Sequence, residues 1–205
     1  MNVYLRMAFL ILLSVFINSA YSREQLKAYI IKLNGDTIEG KIKIQHGILK
    51  KNVYELLRFR VNFQSDNEEK FNEYKPEDLK EFAYKEGDGN WLRYFSENLY
   101  KKQLFFLCLI IDGPVRLYHD YYIGTYQSSS GIVKPAPMTN IYIKKQESEI
   151  LKIEDNWELR VKKRKPLKAY LADCPVIIQE LSNPDELKID MIVKKYNEWY
   201  LQNKK

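Results

Sequence analysis

The chain has 205 residues, 45% hydrophobic and 14% aromatic, with 16 tyrosines, two cysteines, two histidines and a formal net charge of +6. This length suits one domain with a real core, with or without a small appendage. So modest a positive charge favours solubility and gives no reason to expect nucleic acid as a partner.

The first 22 residues read "MNVYLRMAFLILLSVFINSAYS". Arg6 is their only charge, and the run from Ala8 to Ile17 is apolar except for Ser14. Ala20-Tyr21-Ser22 then fits the small-x-small rule, so residues 1–22 are expected to be a cleaved secretory signal peptide. The run is about half the roughly 20 residues that a spanning helix needs. No cysteine follows it, so a lipid anchor is not expected, and no later stretch is long enough to span. Removing 22 of 205 residues leaves 183, and losing Arg6 takes the net charge from +6 to +5. The expected location is secreted or periplasmic, in the cell envelope.

Residues 23–160 read as a mainly antiparallel β domain. "LKAYIIKLNGDTIEGKIKI" contains Asn34-Gly35, a type I′ hairpin dipeptide. A two-residue loop would pair Leu33 with Asp36, Ile31 with Ile38 and Tyr29 with Gly40, leaving room at Gly40 for the tyrosine ring. Ile38, Ile42 and Ile44 alternate with Glu39, Lys41 and Lys43, the pattern of a half-buried strand. Further strands are expected in "YELLRFRVNF" (Tyr54 to Phe63), "KFNEY", "EFAYKEG" and "WLRYFS", with a turn at Gly87 to Asn90. "LFFLCLIIDGPVRLYHDYYI" reads as two strands around Asp112-Gly113-Pro114. Residues 124–139 form one long irregular stretch, either functional or mobile. "NIYIKKQ" and "ILKI" are the last strands.

Residues 161–205 read as a helical segment packed on or beside that domain. "PLKAYLAD" and "PVIIQELS" each open on a proline, which suits the first turn of a helix. Asn183, Pro184 and Glu186 predict a capping box for the last helix. Its apolar stripe (Leu187, Ile189, Ile192, Val193, Tyr196, Trp199, Tyr200) is expected to face the sheet. The fold class is thus α+β: an antiparallel sheet or small barrel-like domain with a C-terminal helical appendage.

Several stretches, in this order, resemble a group of exported, largely uncharacterised proteins of Bacteroidota. They are "IIKLNGDTIEGKI", "YKPEDLKEF", "FFLCLIIDGPVRLYH", "LKAYLADCPVIIQEL" and "IVKKYN". The resemblance implies a cell-envelope or secreted location in a Gram-negative bacterium, and no catalytic residues.

Sites are few. His46 and His119 lie in different hairpins, and neither has a metal-ligand spacing. No G-x-S-x-G elbow and no phosphate-binding glycine loop occurs, so neither a cofactor nor a catalytic residue is expected. Arg160, Lys162, Lys163, Arg164, Lys165 and Lys168 place six positive charges in nine residues. They read as a solvated hinge or as a candidate anion-binding cluster for lipid headgroups or acidic glycans. Cys108 and Cys174 have three readings. They are packing or capping residues, a disulfide worth about 4 kcal/mol on the loop-entropy estimate, or a reactive thiol at Cys174, activated as the cap of the helix opening at Pro175. The leading expectation is a non-catalytic binding or structural module of the envelope. The alternatives are an envelope hydrolase or thiol enzyme with a site assembled from separated residues, or a peripheral binder of anionic lipid or glycan.

Overall fold

A computed structural model describes residues 23–45, 56–100, 103–128, 131–146, 148–153, 164–183 and 188–203. The expected signal peptide, His46, and Arg160, Lys162 and Lys163 lie outside the described residues, as do Pro184 and Glu186 of the expected capping box. The chain divides into two compact units, Met1–Leu92 and Arg93–Lys205.

The first unit holds β1 (Arg23–Lys32), β2 (Thr37–Gln45), β3 (Val61–Ser65), β4 (Asn72–Tyr74) and β5 (Leu79–Lys85), in the spatial order β5-β1-β2-β3-β4. All their pairings are antiparallel. Period-2 alternation sorts the side chains of β1, β2 and β3, whereas β5 is buried on both faces from Glu81 to Tyr84. Ala28, Ile30, Ile42, Val61, Phe63, Phe82 and Tyr84 share the buried face. Lys27, Tyr29, Glu39 and Lys41 share the other.

The first hairpin forms, one residue out of the expected register. Ile31 pairs with Thr37, Ile30 with Ile38, Tyr29 with Glu39 and Ala28 with Gly40. The loop has three residues, not two. Lys32 N–H donates to Asp36 C=O and Gly35 N–H to Lys32 C=O, with Gly35 at φ 96°. That is a type I turn closed by a left-handed glycine, which adds one residue to the loop and shifts every pair. Asn34 Oδ1 accepts from Asp36 N–H at 3.0 Å and fixes the turn. The role of Gly40 changes accordingly. A Cβ there would lie 2.1 Å from the Gln64 carbonyl oxygen, so the glycine admits β3 and not the Tyr29 ring. Of the strand expected from Tyr54 to Phe63, Tyr54 and Glu55 lie outside the described residues, and from Leu56 on the strand begins at Val61. The N–H groups of Phe59 and Arg60 both donate to Leu56 C=O, so residues 56–60 make a turn.

The second unit holds β6 (Trp91–Tyr100, which starts just before the boundary), β7 (Gln103–Ile111), β8 (Val115–Gln127), β9 (Val133–Lys145) and β10 (Leu151–Ile153), in the order β10-β9-β8-β7-β6. Helices α1 (Arg164–Tyr170), α2 (Pro175–Glu180) and α3 (Ile189–Asn203) follow. Within neither unit do the strands close on themselves. The sheet is open, and the barrel-like alternative is not formed.

The stretch 124–139 is largely a β-ribbon. β8 and β9 pair from Val115–Lys145 out to Gln127–Val133. Ser128 N–H donates to Ile132 C=O, so even-numbered β8 residues occupy the hydrogen-bonded pairs. Pro135 and Pro137 therefore face Thr125 and Ile123 at non-hydrogen-bonded positions, where a missing N–H costs the ladder nothing.

One face of this sheet is covered by the helices. Val115, Leu117, Ile141, Ile143 and Ile153 form one core with Leu167 and Leu171, with Cys174, Ile177 and Leu181, and with Ile189, Ile192, Val193 and Tyr196 of α3.

Candidate functional site

Where β7 and β8 part, their register breaks between Leu109 and Ile111. There the Asn197 side chain of α3 substitutes for a strand. Its Oδ1 accepts from Val115 N–H at 2.8 Å, and its Nδ2 donates to Val115 C=O at 2.9 Å. Gly113 is required beneath it, since a Cβ would lie 2.5 Å from Asn197 Nδ2 and φ is +151°. Tyr170 does the same for β9. Its hydroxyl accepts from Lys145 N–H at 2.9 Å and donates to Glu149 C=O at 2.7 Å. Asp173 lies against Lys145 Nζ at 2.7 Å and accepts from the Tyr196 hydroxyl at 2.7 Å. Burial alone would raise the Asp173 carboxyl, but those two partners outweigh it and hold it below the usual range.

The face turned away from the helices carries the candidate site. Register places Phe95 and Glu97 of β6 on the same side as Leu107 and Phe105 of β7, Arg116 and Tyr118 of β8, and Tyr142 and Lys144 of β9. Glu97 stands where alternation calls for an apolar residue, and its side chain is only 7% exposed. Its two oxygens are held from different strands. Tyr118 Oη donates to Oε1 at 2.9 Å, and Lys144 Nζ lies 2.7 Å from Oε2. Burial and the Glu97 charge push the Tyr118 phenol well above its ordinary value.

Arg116 and Lys144 are direct cross-strand neighbours. Like charges so placed repel unless each has its own partner. Lys144 has Glu97, and Arg116 has Asp112 at 3.0 Å. Asp112 also binds Arg93 at 2.7 Å, and both guanidiniums lie over the Phe95 ring, 5.0 and 4.7 Å from its centroid. Burial would raise the Asp112 carboxyl, but the two arginines hold it below its ordinary value.

Beside the Glu97–Lys144 pair opens a pocket of about 400 Å³. Glu97, Asn98 and Leu99 line it from β6, Lys144 from β9, and residues 148–150 from the connection into β10. Tyr170 fixes that last wall through Glu149 C=O. The pocket offers a cation, carboxylates, an amide and a hydroxyl, with Leu99 and Ile150 as apolar surface. Polar groups of both charge signs thus stand together with a small apolar surface at one opening.

No family model matches the chain, and neither a curated protein nor a solved structure matches it.

Those residues singled out from sequence that the structure describes lie elsewhere. Arg164 donates to Asn183 C=O, and Lys168 Nζ to Ser182 Oγ at 3.0 Å, so both tie α1 to the end of α2. Lys165 is exposed. Cys108 and Cys174 are both buried, and the disulfide between them is not formed. Cys174 does stand at the cap of α2, but burial raises its thiol pKa, with Asp173 and Glu180 adding to it, and the N–H groups of Ile177 and Val176 do not compensate. His119 is half-buried between β7 and β9 residues, with Nδ1 3.2 Å from the Tyr121 hydroxyl. Among the described residues, no group of three or more His, Cys, Asp or Glu side chains is placed to hold a metal ion, and no helix is long and apolar enough to cross a membrane. Glu97, Tyr118 and Lys144 were not singled out. The one available signal was a glutamate in the apolar phase of "WLRYFSENLY".

Proposed function

We propose that this chain is an exported, non-catalytic binding module of the cell envelope, and that the pocket beside Glu97 and Lys144 takes a small polar ligand. One observation carries the reading: an ion pair with side chains 7% and 29% exposed stands at the wall of a polar pocket. With Glu97 buried and Lys144 half-buried, the cost of taking the carboxylate out of water offsets most of the attraction, so the pair stabilises the fold little. Its placement is better explained by recognition. The export half of the reading rests on the N-terminal sequence and on the resemblance to exported proteins.

The two other readings have less support. Arg164 and Lys168 are engaged within the helices, so an anion-binding hinge would rest on Lys165 and on residues 160–163. A thiol enzyme would need Cys174 to be accessible, and it is fully buried.

The test is an amide-NMR titration of the full chain with glycerol 3-phosphate, glucuronate, glucose and ethanolamine. Saturable shifts at Asn98, Lys144 and Ser148 are expected with at least one probe. A Glu97→Gln, Lys144→Met double variant should keep wild-type stability to within about 1 kcal/mol and lose that binding. A double variant that instead unfolds, while no probe shifts the wild type, makes the pair structural and ends the proposal. Export is checked separately. Mature protein recovered from the periplasm or medium of a Gram-negative host should begin at Arg23.

A further inference from the structure

The first unit carries an independent feature. Trp91 follows the hairpin turn at residues 86–90, which is closed by Glu86 N–H to Asn90 C=O at 2.8 Å and by both side-chain oxygens of Asp88 on Asn90. The turn fixes where the indole emerges, yet Trp91 stays 41% exposed. Its neighbour is Tyr29, with ring centroids 5.3 Å apart and planes at 45°. Parallel stacking would let each ring hide a face of the other, whereas at this tilt the half-buried Tyr29 ring does not cover the Trp91 indole fully. Tyr29 is itself anchored, its hydroxyl donating to buried Glu81 at 2.7 Å. Ala83, directly opposite Tyr29 on β5, is fully buried and keeps the floor low. Beside the rings stand Lys27 and Glu39, a loose pair at 3.9 Å with side chains 65% and 70% exposed.

We propose that Trp91 and Tyr29 form a platform for one sugar ring of a neutral oligosaccharide. The C–H bonds on the face of a pyranose carry slight positive charge and pack on the electron-rich face of an aromatic ring. Its rim hydroxyls need donors and acceptors of both kinds, which Lys27 and Glu39 supply. The alternatives fit less well. Two rings fall far short of the roughly 1,000 Å² that a stable protein interface requires. A fringe of both signs lacks the cationic excess that phosphate backbones select. The proposal does not depend on the pocket of the second unit.

The test is isothermal titration of the full chain with the tetramers of N-acetylglucosamine, β-1,4-glucose and α-1,4-glucose. At least one should bind saturably. Trp91→Ala should weaken that binding by about tenfold or more, equivalent to about 1.4 kcal/mol. Lys144→Met should leave it unchanged, which separates this site from the pocket. In the wild type, bound sugar should also protect tryptophan fluorescence from iodide quenching, a readout that survives if Trp91→Ala misfolds. Failure of all three sugars to bind, equal binding by a folded Trp91→Ala protein, or absence of quenching protection overturns the proposal.

Discussion

The two units satisfy the same backbone chemistry by different means. In the first, strands pair with their neighbours and the turns are closed by their own residues: Asn34 on Asp36, and Asp88 on Asn90. These two bonds each span two positions, and those from Lys75 to Asp78 and from Gln64 to Glu68 span three and four. In the second, β8 and β9 depend on distant side chains. Asn197 reaches back 82 positions to Val115, and Tyr170 reaches back 25 to Lys145. Alternation and turn chemistry are enough to build the first arrangement. The second exists only once the helices have docked, so its sheet and helices should gain and lose order together.

The sharpest way to break this comparison is Asn197→Ala. It strands a buried N–H and a buried C=O on Val115, each costing roughly 1–3 kcal/mol, so a loss of about 3 kcal/mol is expected in urea unfolding. Hydrogen exchange should rise in β8 and α3 and stay unchanged in β1 and β2. A loss below about 1 kcal/mol would mean that Asn197 is not substituting for a strand. The counterpart in the first unit is Gly40→Ala. Its Cβ would meet the Gln64 carbonyl oxygen at 2.1 Å, where backbone must move. Overpacking of this kind costs about 2 kcal/mol. Exchange should now rise in β2 and β3, with α3 unaffected. Equal loosening in both units after either change would refute independent means of support.

Tyr170→Phe sharpens the comparison further, at about 1 kcal/mol, because the hydroxyl serves partly exposed groups. Its more telling readout is local. Residues 148–150 line the pocket, so ligand-induced shifts at Ser148 should broaden while those at Asn98 persist.

What was legible in the sequence follows the same division. The existence and order of the strands, the three glycine turns and the apolar stripe of α3 came from periodicity and turn residues. The first hairpin's register did not, because Asn34-Gly35 serves a two-residue or a three-residue loop equally well, and only the bonds of Gly35 and Asp36 decide. The ribbon at 124–139 was hidden by Pro135 and Pro137, which read as breakers until their side of the ladder is known. The turn at 56–60 was masked by an alternation of Leu57 and Phe59 with Arg58 and Arg60 that mimics a strand. The candidate site was the least legible. Glu97 finds Tyr118 21 positions away and Lys144 47 positions away. Those distances are set by strand order, which no local pattern carries.

The smallest effect expected is a pH slope in the second unit. His119 pairs across the ladder with Cys108 and Ile141, so its ring lies among buried neighbours. Nδ1 meets the Tyr121 hydroxyl, while Nε2 is buried without a hydrogen-bond partner. Burial disfavours the charged ring and lowers its pKa below the ordinary value. In the unfolded chain the ring titrates near about 6.5. Below that pH the unfolded state binds the extra proton first, so stability is full above about 6.5 and falls as the pH drops toward the folded value. Asp173, also lowered, acts in a separate window: its contribution is present above the unfolded carboxyl value of about 3.9 and is lost on further acidification. Between pH 7 and 5, then, only the histidine term should separate wild type from His119→Gln. The variant's urea midpoint should change less over that interval than the wild type's. Parallel profiles would show that the ring stays neutral in both states or is solvated when folded. The second unit would then tolerate a charge on the helix-covered side of its sheet, which the packing of Leu117 and Ile141 against α1–α3 argues against.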